Sequence, residues 1–205
     1  AILKMPEVSE RFRTAHGREW NQNDVAIMYQ SFEKHLFASL QDFTTPVPGV
    51  IETMEQLRRE GIRIGSTTGY TDAMMKIVQP GAAAQGYTVD CLVTPDHLPA
   101  GRPAPYMIYR NMTELAIPSV DEVVKVGDTI ADIREGLNAK VCSVGVITGS
   151  NELGLTEEEY KTMPEPELYT LKQEVRERMM AAGAHYVLDN IRELPDLIHN
   201  LMNKK

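Results

Sequence analysis

The residues able to do chemistry in this 205-residue chain fall in three short segments. In Thr67-Thr68-Gly69-Tyr70-Thr71, hydroxyls and a glycine stand between an apolar run and a helical pattern. Backbone N–H groups at a helix start have no partner inside the helix, so a hydroxyl beside them completes a cradle for an anion. Gly69 lets the main chain approach such a ligand closely. The same residues serve equally as a plain turn and N-cap. In Gly127-Asp128-Thr129-Ile130-Ala131-Asp132, two acids straddle a strand exit and a first helical turn, so both carboxylates can face one point. A hard divalent cation such as Mg2+ takes carboxylates and waters in that arrangement. The competing reading is a helix cap plus an acid favoured by the helix dipole. In the loop 99–105, Pro103 and Pro105 stiffen the chain and hold Arg102 out of a helix. A guanidinium held there can grip two phosphate oxygens at once, although an ordinary exposed arginine is the commoner occupant of such a loop.

The elements that must position these residues follow from the hydropathy pattern. Apolar runs at Ile62–Ser66, Asp90–Val93, Val123–Val126, Val141–Ile147 and His185–Leu188 read as strands. They alternate with helical stretches at Asp72–Ala84, about 104–115, Ile130–Ala139 and Ile191–Met202. Runs this apolar indicate strands buried on both faces, and the alternation predicts a doubly wound α/β parallel sheet. Ligands of such sheets gather beyond the carboxyl ends of the strands. A hydroxyl, a cation and a pair of acids at three successive strand ends together indicate phosphoryl chemistry with Mg2+.

Residues 1–45 have another character. They hold all four phenylalanines and the only tryptophan, and Val25, Met28, Tyr29, Phe32 and Leu36 recur at helical spacing. Asn23 or Asp24 offers an N-cap. The segment reads as a helical appendage that packs through a wide apolar face. The Pro- and Gly-punctuated stretch Thr44–Gly49 joins it to an α/β core over 46–205.

Composition excludes several classes. Twenty-one basic against twenty-nine acidic side chains give a net charge of −8, and no basic cluster suits a nucleic acid backbone. No run approaches the ~18–20 apolar residues of a membrane helix. Lys4, Pro6 and Glu7 interrupt any signal-peptide core. Cys91 and Cys142 lie far apart and read as reduced thiols of a cytoplasmic protein. His16, His35, His97, His185 and His199 are scattered without zinc-ligand spacing.

The segments GSTTGYT (65–71), AGRPAPYM (100–107) and VGDTIADIREGLNA (126–139) resemble the phosphonoacetaldehyde hydrolase, or phosphonatase, family of the haloacid-dehalogenase superfamily. SNELGLTEEEY (150–160) and AGAHYVLDNIREL (182–194) extend that resemblance over essentially the whole chain. It implies Mg2+-dependent cleavage of the carbon–phosphorus bond of phosphonoacetaldehyde, giving acetaldehyde and phosphate. It also implies two covalent steps: a cap lysine forms a Schiff base with the aldehyde, and an aspartate on the first core strand attacks phosphorus. By motif, Thr68 and the Gly69 amide would bind phosphate oxygens, and Arg102 would stand where the superfamily places its phosphate-neutralising lysine. Asp128 would ligate Mg2+, and Asp132 would orient metal-bound water or support the site from behind.

In one place the chain departs from the pattern. The family's opening strand, with its Asp-x-Ala-Gly-Thr-Thr segment, is not among these residues, and Lys4 falls at the wrong position for the Schiff-base lysine. The expectation is a Rossmann-like core lacking its first strand, with part of a helical cap over 1–45, belonging to a longer parent and inactive alone. Family members commonly pair through cap helices, which implies a homodimer with the aromatic face of residues 12–43 as its interface, and a face packed within the chain serves equally. Two other readings stand beside this one: a phosphate-binding relic without turnover, and another Mg2+-dependent phosphatase or mutase of the superfamily. GSTTGYT and GRPAPY favour the phosphonatase over the latter.

Overall fold

Short apolar runs separated by amphipathic stretches fold, in this computed structural model describing residues 2–203, into parallel strands crossed over by helices. Contacts cluster into two units, Ala1–Thr44 and Thr45–Lys205. Among the described residues no helix is long and apolar enough to cross a membrane.

The first unit contains helices α1 (Pro6–His16) and α2 (Gln22–Ser39). The cap of α2 is Asn21, not Asn23 or Asp24. Its extended backbone (φ −134°) lets the side chain accept the N–H groups of Asn23 and Asp24. The Asp24 carboxylate accepts the Asn21 N–H at 2.9 Å in return, closing a capping box. Arg18 holds both oxygens of Asp24 at 2.7 Å. The expected apolar packing face is not seated: Met28, Tyr29 and Phe32 are exposed, and the one buried residue of α2 is Asp24. A unit of two main helices has too little surface to cover that stripe from within.

The second unit runs α3 (Val50–Arg59), β1 (Gly65–Thr67), α4 (Asp72–Ala84), β2 (Cys91–Val93) and α5 (Tyr106–Glu114). It continues with β3 (Val124–Gly127), α6 (Ile130–Asn138), β4 (Cys142–Val146), α7 (Glu157–Thr162), α8 (Glu165–Ala181), β5 (Tyr186–Leu188) and α9 (Leu194–Met202). The strands are shorter than their apolar runs. Before β1, for example, the Asp90 carboxylate takes the Ile64 N–H at 2.6 Å, so ladder pairing starts only at Gly65 opposite Cys91. Helices α3 and α8 have no counterpart in the hydropathy reading, α8 because its two buried side chains, Val175 and Met179, sit among many charges.

All pairings are parallel, in two groups: β1 with β2, and β3-β4-β5. Burial on both faces holds for β4, whose residues Ser143–Val146 are all buried, whereas β1 and β2 are largely half-exposed. Leu188 packs with Leu57, Val144, Leu194 and Ile198, while its neighbour Val187 packs with Ile133, Val175 and Met179. Adjacent strand residues point oppositely, so helices cover both faces of this part of the sheet. Each such buried Leu, Ile or Met contributes roughly 1.5–3 kcal/mol. Cys91 and Cys142 are unpaired, half-buried thiols, and burial pushes both above the ordinary thiol value.

Candidate phosphoryl-binding site

β1 delivers the chain to the Thr68-Gly69 turn. The Thr68 hydroxyl accepts the Tyr70 N–H at 3.0 Å, and Thr71 caps α4 by accepting the Met74 N–H at 3.4 Å. The turn-and-cap role is therefore real, and it leaves the Thr68 O–H still able to donate. Gly69 is exposed, and a Cβ there would lie 3.3 Å from Nη2 of Arg102. The guanidinium thus stands against the turn. Asn138 of α6 steadies the Arg102 loop by donating its side-chain N–H to the Pro103 carbonyl at 2.7 Å.

Asp132 anchors Arg102. It is the third residue of a capping box begun by Thr129. Its Oδ2 accepts the Thr129 hydroxyl at 2.6 Å and the Thr129 N–H at 3.3 Å. Its Oδ1 accepts from Arg102 Nη1 and from Lys125 Nζ, the latter at 2.8 Å. Burial by itself would push this carboxyl up, but Lys125, Thr129 and Arg102 together hold it below the usual carboxylate range. Gly127 is required here, because a Cβ would overlap that of Asp132 and stand 2.5 Å from its Cγ.

Asp128 is half-exposed, and its Oδ2 accepts the Asn151 N–H at 3.1 Å. The loop that supplies this N–H also brings Glu152 to the start of α6, where it accepts the Ile130 N–H at 3.3 Å and pairs with Arg178. The two acids therefore do different work, and the expectation that both face one cation is corrected. Both oxygens of Asp132 are taken by protein donors, whereas Oδ1 of Asp128 has no such partner among the described residues. Among the described residues no group of three His, Cys, Asp or Glu side chains is arranged to hold a metal ion. Asp128 alone fits Mg2+, which commonly keeps its waters and takes one or two carboxylates plus phosphate oxygens.

Two residues escaped the sequence reading, Lys125 and Glu135. Lys125, buried within β3, bonds Thr67 Oγ1 at 2.8 Å and Glu135 Oε2 at 2.9 Å as well as Asp132. The signal was a lysine inside the apolar run VVKVG, and a glutamate three residues after Asp132 on the same helix face.

Parallel strands crossed over by helices, with an arginine held by a helix-start aspartate against a glycine turn, make up the frame of this candidate site. A family model for haloacid dehalogenase-like hydrolases matches residues 6–140. A phosphonoacetaldehyde hydrolase of Parabacteroides distasonis is 69% identical over 204 residues, which is all of this chain and 77% of that protein. One from Bacillus cereus is 45% identical over 201 residues, covering 98% of this chain and 76% of the relative. The crystal structure of a phosphonoacetaldehyde hydrolase-like protein from Oleispira antarctica superposes with a TM-score of 0.91 at 30% identity, over 98% of this chain and 73% of that one. The chain belongs to the haloacid dehalogenase-like hydrolases and, within them, to the phosphonoacetaldehyde hydrolase family.

Proposed function

We propose that this protein hydrolyses the carbon–phosphorus bond of phosphonoacetaldehyde, releasing acetaldehyde and inorganic phosphate. The bonding pair leaves with carbon, which takes a proton, and water supplies the oxygen added to phosphorus. The observation that carries the reading is the Arg102 guanidinium, held by Asp132 against the Gly69 turn. In this reading Thr68 and the Gly69 amide bind phosphonate oxygens and Arg102 neutralises their charge. Asp132 is a positioning residue for Arg102. Asp128 would hold Mg2+, which supplies further neutralisation of the phosphoryl group. No residue of this chain is assigned the attacking carboxylate or the Schiff-base amine. The relatives' identities favour neither a binding relic nor a different phosphatase.

The test is acetaldehyde release from phosphonoacetaldehyde by the native protein, read through a coupled dehydrogenase. Mg2+-dependent release is expected, and Asp128→Asn should abolish it. Absence of acetaldehyde overturns the function, and unchanged turnover in Asp128→Asn overturns the metal role. We further assign residues 1–45 as part of a helical cap and propose that the exposed face of α2, with Met28, Tyr29 and Phe32, pairs two copies of the chain. A cytoplasmic setting suits the two free thiols.

A further inference from the structure

Lys125 is a cation inside a strand, with its side chain 9% exposed. Its ammonium has three N–H groups and three acceptors: Thr67 Oγ1 at 2.8 Å, Asp132 Oδ1 at 2.8 Å and Glu135 Oε2 at 2.9 Å. With all three donors used, Lys125 has none left for a ligand. The Thr67 hydroxyl donates a hydrogen bond to Glu135 Oε2 at 2.9 Å, so lysine, threonine and glutamate close a ring. Glu135 is fully buried, and its Oε1 has no hydrogen-bond partner among the described residues. Two cations, Arg102 and Lys125, balance two carboxylates, Asp132 and Glu135, across the cluster.

The placement of this ring matters more than its charge. From β3 the Lys125 side chain reaches β1 at Thr67, the residue just before the Thr68-Gly69 turn. Its contact with Asp132 reaches the carboxylate that holds Arg102. One ammonium therefore touches the support of each half of the phosphoryl cradle. We infer that Lys125, locked by Glu135, is the positioning residue that sets the spacing between the Thr68-Gly69 turn and the Arg102 guanidinium, and so the fit to a tetrahedral phosphoryl oxyanion. This deepens the function proposed above and rests on it only for the ligand class.

The experiment separates position from stability by measuring thermal unfolding, inorganic phosphate binding by calorimetry, and KM against kcat on the native protein. Lys125→Met leaves two buried carboxylates against one cation, so both the melting temperature and phosphate affinity should fall, the latter about tenfold or more. Lys125→Met/Glu135→Gln restores charge balance. Its melting temperature should recover, while phosphate affinity stays about tenfold weak and KM remains raised. Thr67→Val removes the hydroxyl's bonds to Lys125 and Glu135, and should weaken phosphate several-fold with a smaller fall in melting temperature than Lys125→Met. Recovery of phosphate affinity in step with melting temperature in the double variant overturns the inference. So does unchanged affinity in Thr67→Val, or a native protein that does not bind phosphate. Phosphate binding without acetaldehyde release overturns the proposed function instead, and the variants' affinities then still decide this inference.

Discussion

Helices α2 and α6 begin with the same device in two different regions. Each opens with a capping box whose third residue is an aspartate, Asp24 or Asp132, and each aspartate is held by an arginine, Arg18 or Arg102. In the helical unit the arginine side chain is 50% exposed, stacks over the Phe12 ring and also bonds the Glu19 carbonyl. In the α/β unit the arginine side chain is 22% exposed, a second cation shares the aspartate's oxygen, and the arginine faces a glycine turn. The local motif starts a helix in both places. Burial and a second cation make one of them the support of the candidate site, because charges removed from water must be neutralised by fixed partners that also hold one another in place.

Removing the two aspartates should break the symmetry most clearly. Asp132→Ala leaves Arg102 and Lys125 without their shared anion and should cost about 3–5 kcal/mol in denaturant unfolding. Asp24→Ala strands no buried charge and should lower helix content measurably less. Equal losses would show that burial does not separate the two motifs.

Acid should act next. The Arg18 hydrogen bonds, and then the Asn21 N–H, hold the Asp24 carboxyl down at about 2. A group depressed on folding stabilises above its unfolded value, near 3.9, and that contribution is lost as pH falls through the folded value. Trp20, the sole tryptophan, lies in the helical unit, so its fluorescence should report loss of that unit's order between about pH 4 and pH 2. Asp132 is also depressed, so the α/β unit should lose its contribution in the same direction. Asp132→Asn should flatten that part of the acid limb, whereas an unaltered limb would show that Asp132 does not carry it.

The smallest effects should come from the cap residues. Asn21→Ala and Thr129→Ala should each cost about 1 kcal/mol of stability. Only Thr129→Ala should also weaken phosphate binding, since Thr129 holds the Asp132 oxygen opposite Arg102. A similar change in phosphate affinity from Asn21→Ala would undo the distinction between the regions.

Much of the site was legible because its residues advertise themselves by type and position. Thr68 and Gly69 follow an apolar run, Arg102 is bracketed by prolines, and Asp128 and Asp132 flank a helix start. Helix α4 matched its reading at both ends, since Thr71 caps it locally. The exposure of Met28, Tyr29 and Phe32 was not legible, because spacing marks a stripe without saying what covers it. Nor were Lys125 and Glu135, since charged residues are ordinarily read as facing water.

Helix starts, strand order of appearance and the placement of chemistry at strand ends were determined by the amino-acid sequence, because caps, turns and hydropathy act over a few neighbouring residues. Only the tertiary structure decided that Asp128 and Asp132, separated by three residues, would part company. Arg102 comes from 30 residues away and Lys125 from another element, and packing brings both onto Asp132 and leaves Asp128 open. Such sharing of one buried oxygen depends on long-range docking of helix against strand, which no local pattern encodes.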